Sequence, residues 1–140
     1  MGPQALTLRR RDGWPARFAD LLAKRRALPF AWGTNDCLTF AVDVVEAITG
    51  TTICTVDWDD APSAARKIAA AGSLADVCLT PRLGPPGTDW RQLRRGDVAI
   101  AEIEGRDTIL VCSGQTLCGP GLEGLEHVPP TIARLVWRVG

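Results

Sequence analysis

One histidine, His127, no tyrosine and a single methionine stand in a chain of 140 residues. A metal centre built on several imidazoles is thereby excluded, and any mechanism needing a histidine base has only His127 to use. Net charge is missing too. Sixteen basic side chains balance sixteen acidic ones, so no global field draws the protein to nucleic acid or to an anionic membrane. No apolar run approaches the ~18–20 residues that cross a bilayer. The N-terminus, Met1 to Arg11, has basic residues with no apolar stretch after them and does not read as a secretory signal. The cysteines (Cys37, Cys54, Cys78, Cys112 and Cys118) are odd in number and lack C-x-x-C spacing. That argues against a disulfide framework and against a zinc ribbon. No cofactor and no metal is implied, and the thiols are expected to be free and mostly buried.

What is present is ordinary globular material, 46% hydrophobic and 23% charged, enough for one domain over residues 1–140. Residues 14–80 carry helical spacing. Trp14, Phe18, Leu21 and Leu22 recur at i, i+4, i+7 and i+8, with Pro15 in the first turn, which predicts a helix over about 14–27. Cys37, Phe40, Ala41, Val44, Val45 and Ile48 predict a second, capped by Thr34, Asn35 or Asp36 and ended by Gly50. Asp60, Pro62 and Gly72 frame a third over 61–71, and Ser73 with Asp76 resembles a capping box for a short fourth. Pro81 to Thr88 reads as a loop. After Gly96, short alternating runs predict strands at 97–103, 107–113, 115–118, 124–128 and 135–139, with turns at Glu104-Gly105, Ser113-Gly114 and Gly119 to Gly121. Helices first and strands afterwards imply an α+β domain, its β part (96–140) a small antiparallel sheet or half-barrel.

Cys37 is singled out by its position at the start of the second helix, where free backbone N–H groups and the macrodipole favour a thiolate. The preceding Pro29-Phe30-Ala31-Trp32-Gly33-Thr34-Asn35-Asp36 is a rigid, aromatic approach of the kind that walls a cleft, with Trp32, Asn35 and Asp36 nearest the thiol. The plainer reading is that Cys37 is a small hydrophobe on the apolar face of its helix.

Pro29-Phe30-x-Trp32-Gly33 leading to Asp36-Cys37 and an apolar helix resembles the nucleophile segment of the NlpC-like cell-wall cysteine peptidases. Arg95-Gly96-Asp97-Val98-Ala99-Ile100 resembles that family's Gly-Asp strand, and the two matches span residues 28–118 in the family's order. The resemblance implies a papain-like fold in which the Cys-headed helix packs on a small antiparallel sheet. Leu122 to Pro129 and Ala133 to Val139 also resemble a group of small phage tail proteins. A phage or gene-transfer particle is implied, with other tail proteins of the tip or hub as partners and peptidoglycan as the surface approached. Synthesis in the bacterial cytoplasm and incorporation into the particle would follow.

Departures from the family pattern fall on the chemistry. The family's base aligns with Thr108 and its orienting residue with Cys118. Threonine cannot take a thiol proton at neutral pH. His127 is the one substitute base, in a later strand where Val128 is the expected core-facing neighbour. Two functions stay open: a structural tail-tip component with a degenerate peptidase site, and an active peptidoglycan endopeptidase or amidase with Cys37 as nucleophile. A cytoplasmic protein-binding domain is a third. Asp57-Trp58-Asp59-Asp60 lacks the ligand spacing of a cation loop and reads as a turn with a helix cap. Arg9-Arg10-Arg11 reads as a solvated arm or a protein contact. Trp14, Trp32 and Trp137 are expected in the core or a cleft wall, and Trp58 and Trp90 as contact anchors.

Overall fold

A computed structural model describes residues 5–140; Met1 to Gln4, part of the 1–140 domain and of the N-terminal stretch read above, lie outside the described residues. Helices come first: α1 (Trp14–Arg25), α2 (Cys37–Thr49), α3 (Ala61–Ala71), α4 (Leu74–Val77) and α5 (Leu79–Leu83). Five strands follow: β1 (Val98–Ile103), β2 (Arg106–Cys112), β3 (Leu117–Pro120), β4 (Leu125–Val128) and β5 (Ala133–Trp137). They form one antiparallel sheet in the order β4-β3-β2-β1-β5. The domain is α+β, as the change of periodicity near residue 96 predicts.

α2 is the central packing element. Leu38, Phe40, Ala41, Val44, Val45 and Ile48 are buried on it, each large side chain contributing roughly 1.5–3 kcal/mol of hydrophobic stabilisation. They meet Val98, Ile100, Ile109, Val111, Cys118 and Trp137 from one face of the sheet. The reverse face presents Ala99, Ala101, Leu110, Cys112, Leu117 and Val136, covered in part by Trp90 and Leu93. Residues therefore alternate between two apolar layers along every central strand, which fixes the register.

One carboxyl group ties the ends of this arrangement together. Asp97 is buried, and its Oδ1 accepts from Arg10 Nη2 at 2.8 Å and from the Val139 amide at 2.9 Å. Its Oδ2 accepts from the Arg94 amide at 2.9 Å. Arg10 also donates to the carbonyls of Arg95 (2.6 Å) and Val139 (2.8 Å). The expected solvated arginine arm is corrected at this residue, because a buried carboxyl group recruits a guanidinium from the far end of the chain. Gly96 beside it has φ +92°, and a Cβ there would come within 2.5 Å of Ile48, so the Gly-Asp pair is fixed by packing.

Other expectations shift. Residues 81–83, read as the start of the loop, belong instead to the helical turn Leu79–Leu83; Pro81 is tolerated there because first-turn amides need no intrahelical partner. Gly119 and Pro120 belong to β3, and the turn is displaced to Gly121–Gly124, where the Gly121 amide donates to the Gly124 carbonyl. β3 and β5 run at 117–120 and 133–137 rather than 115–118 and 135–139. Trp58 is buried, not an exposed anchor, and Trp90 is half-buried on the reverse face of the sheet.

Candidate functional site

The start of α2 is built around Asp36. Its Oδ1 accepts the Thr39 amide at 2.9 Å while its own amide donates to Thr39 Oγ1 at 2.8 Å, a reciprocal capping box. Its Oδ2 accepts the Gly33 amide at 2.8 Å and the Trp58 indole N–H at 2.7 Å. Gly33, at φ +80°, lies so close to Trp58 that a Cβ would come within 2.4 Å of its carbonyl oxygen. Asn35 is buried as well. Its Oδ1 accepts from Arg25 at 2.8 Å, and its Nδ2 donates to the carbonyls of Pro29 (3.0 Å) and Leu28 (3.2 Å). Both polar side chains before the cysteine are thus occupied in holding the loop and the helix start.

Cys37, the first residue of α2, is half-buried at the floor of a cavity of about 800 Å³. Trp32 stands on one rim, 37% exposed, its ring set edge-on to Phe30 at 4.9 Å. α3 supplies a wall of small side chains, Ala61, Ala64, Ala65 and Ala69, with Ile68 among them. The β1–β2 hairpin supplies Gly105, Arg106 and Asp107 on the other side. Of the three residues expected to form a cleft, Trp32 lines it, while Asn35 and Asp36 lie beneath and do not. The sequence signal for the missed wall was the number of alanines in α3, which leaves room where larger side chains would fill it.

Electrostatics at the thiol run against ionisation. Burial pushes Cys37 up to about 11, and the neighbouring Asp36 charge adds to the rise; backbone hydrogen bonding from Ile109, Cys37 and Leu38 opposes it without cancelling it. The helix start does favour the thiolate, as its position predicts, but desolvation is the larger effect. At neutral pH the sulfur carries its proton.

The residues aligned with a catalytic set are not assembled around this thiol. Thr108 pairs with Ala101 and shares its face of the sheet, turned away from α2; its hydroxyl donates to the Arg106 carbonyl at 3.3 Å. Asp107, one residue earlier, is the neighbour that reaches the cavity. Cys118 is fully buried under α2, its thiol pushed up to about 12 by burial. His127 is opposite Cys118 in the β3–β4 register, on an edge strand separated from β2 by β3. It is exposed, and its Nδ1 shares a 2.7 Å hydrogen bond with Thr116 Oγ1. Val128 beside it packs on the reverse face of the sheet. Of the residues expected to form the site and its cleft, Cys37 and Trp32 line the cavity, and Trp58, expected as a contact anchor, lines it with them.

Among the described residues no cluster of three or more His, Cys, Asp or Glu side chains could hold a metal ion. No helix among them is long and apolar enough to cross a membrane. No curated protein and no solved structure matches the chain. Residues 9–139, from the arginine arm that reaches Asp97 to the buried Val139, match the family described as a domain of unknown function, DUF6950, and the chain belongs to that family.

Proposed function

We propose that the chain is a non-catalytic relative of the NlpC-type papain-like peptidases, serving as a structural component of a phage-type tail tip that engages the cell wall without cutting it. The observation that carries this reading is the state of Cys37: a helix-start cysteine in an open cavity, held protonated, with no imidazole beside it. Cysteine peptidase chemistry needs a base to take the thiol proton and an acid to return it to the leaving group. Asp107 lines the same cavity as a carboxylate and supplies no imidazole. The order of elements supports the fold assignment, since a Cys-headed helix is followed by an antiparallel sheet entered through Gly96-Asp97.

The test is to incubate the purified chain with peptidoglycan sacculi and follow soluble muropeptides, alongside a Cys37→Ala variant. No release from either protein is expected, with sacculi retaining both equally, and particles carrying Cys37→Ala should assemble and infect normally. Release that disappears with Cys37→Ala would overturn the reading and establish a peptidase. Absence of the chain from purified particles would overturn the tail-tip assignment.

A further inference from the structure

The tip of the β3–β4 hairpin carries a leucine at a place where turns favour polar residues. Leu122 is 86% exposed, the most open large apolar side chain among the described residues. Backbone bonds hold it there: the Phe30 amide donates to the Gly121 carbonyl at 2.8 Å, and the Leu125 amide to the Arg26 carbonyl at 3.0 Å. Glu123 and Glu126, both exposed, stand on the same tip. Arg26 borders it, yet among the described residues neither glutamate enters an ion pair. A second surface feature has the matching character. A cavity of about 350 Å³ is lined by Leu6, Leu8, Leu83, Arg138 and Gly140. The Leu6 amide donates to the Arg82 carbonyl at 2.8 Å, which holds this wall against α5. Arg138 is exposed and, among the described residues, has no ion-pair partner. Arg94 reaches the same rim, its Nη2 donating to the Gly140 carbonyl at 3.0 Å. The sheet keeps tip and cavity apart. β4 and β5 are its opposite edges, and the antiparallel pairings send the β3–β4 turn and the end of β5 to opposite ends of the strands. The tip of one molecule therefore cannot fill its own cavity.

We propose that the occupant is a second copy of this chain: Leu122 of one molecule enters the Leu6, Leu8 and Leu83 cavity of the next, with Glu123 against Arg138 at the rim. An apolar knob beside a carboxylate meets an apolar cup beside a guanidinium, so the two surfaces agree in shape and in charge. The contact is head-to-tail, because knob and cup are different patches. Each pair leaves one of each unused, and the contact propagates into a ring if the rotation closes, or into a filament if it does not. Neither Cys37 nor the cavity above it takes part, so the pairing stands or falls apart from the tail-tip reading.

The experiment is sedimentation velocity on the full chain from micromolar to millimolar concentration. Species larger than a dimer should accumulate with concentration and recede at high salt, where the attraction between Glu123 and Arg138 is screened. Leu122→Ser and Arg138→Glu should each stay monomeric throughout, and Glu123→Arg should lose assembly in the same way. All three positions are exposed, so the melting temperatures should not move. Mixed in equal amounts, Leu122→Ser and Arg138→Glu should form a one-to-one dimer and nothing larger. The intact tip of the second then meets the intact cavity of the first, and no further contact is left to make. A parent protein that remains monomeric overturns the proposal, as does assembly that survives Leu122→Ser. Assembly that survives Arg138→Glu overturns it as well, since hairpin would then be meeting hairpin. So does a mixture of the two variants that stays monomeric.

Discussion

The indole N–H of Trp58 donates to Asp36 Oδ2 at 2.7 Å, joining two buried residues 22 positions apart. The same oxygen receives the Gly33 amide, and the other oxygen caps α2. One carboxyl group therefore sets the approach loop, the helix start and the segment leading into α3, the three elements around Cys37.

Replacing Asp36 with Ala removes the cap and leaves the buried Trp58 indole and the half-buried Gly33 amide without their acceptor. A loss of about 3–5 kcal/mol is expected in urea denaturation. Trp58→Phe removes a single donor and keeps the ring volume, so it should cost about 1–3 kcal/mol. Equal losses from the two variants would contradict the shared role of the carboxyl group.

Cys37 should be a poor nucleophile near neutrality. With its thiol pushed up from 9.0 to about 11, alkylation by iodoacetamide at pH 8 should run roughly 100-fold slower than for a free cysteine and quicken steadily above pH 9. The sign for stability follows. The folded state holds this proton where the unfolded chain releases it, so the contribution is complete below pH 9 and is lost as pH rises through about 11. Denaturation of Cys37→Ala beside the parent protein isolates this slope, since Cys112 and Cys118 are raised as well.

Arg10→Met leaves Asp97 buried without its long-range cation, and about 3–5 kcal/mol of stability should disappear. Arg10→Lys should recover part of it, as an ammonium replaces one of the three contacts of the guanidinium fork. Calorimetry of the three proteins decides the order.

His127→Ala should change stability by no more than about 1 kcal/mol, because the ring is exposed and its one hydrogen bond is to a surface hydroxyl. Sacculus retention and Cys37 alkylation should both be unchanged. A shift in the alkylation profile would place the imidazole in contact with the thiol.

Ala65→Trp fills the cavity from an exposed position on α3. Folding stability should stay within about 0.5 kcal/mol, while retention by sacculi should fall if the alanine wall is the contact surface.

Local signals in the sequence carried the helices and the class of fold. The period of α2, the caps at Asp36, Asp60 and Ser73, and the stops at Gly50 and Gly72 all lie within a few residues of what they determine. What escaped was non-local. Arg10 sits in a charge run that looks solvated, and its partner Asp97 is 87 residues away. Trp58 lies among acidic residues that suggest a surface, yet its indole serves Asp36. Thr108 shows the limit most sharply: in a strand, one position of register exchanges faces, and it is Asp107 that reaches the cavity. The nucleophile-like placement of Cys37 was legible, whereas its protonation depended on burial created by the whole sheet.

Arg10 and Val139 meet at Asp97, so the segment before α1 and the segment after β5 are latched by one carboxyl group. Fraying on either side therefore removes a partner from the other, and the two edges of the domain loosen together.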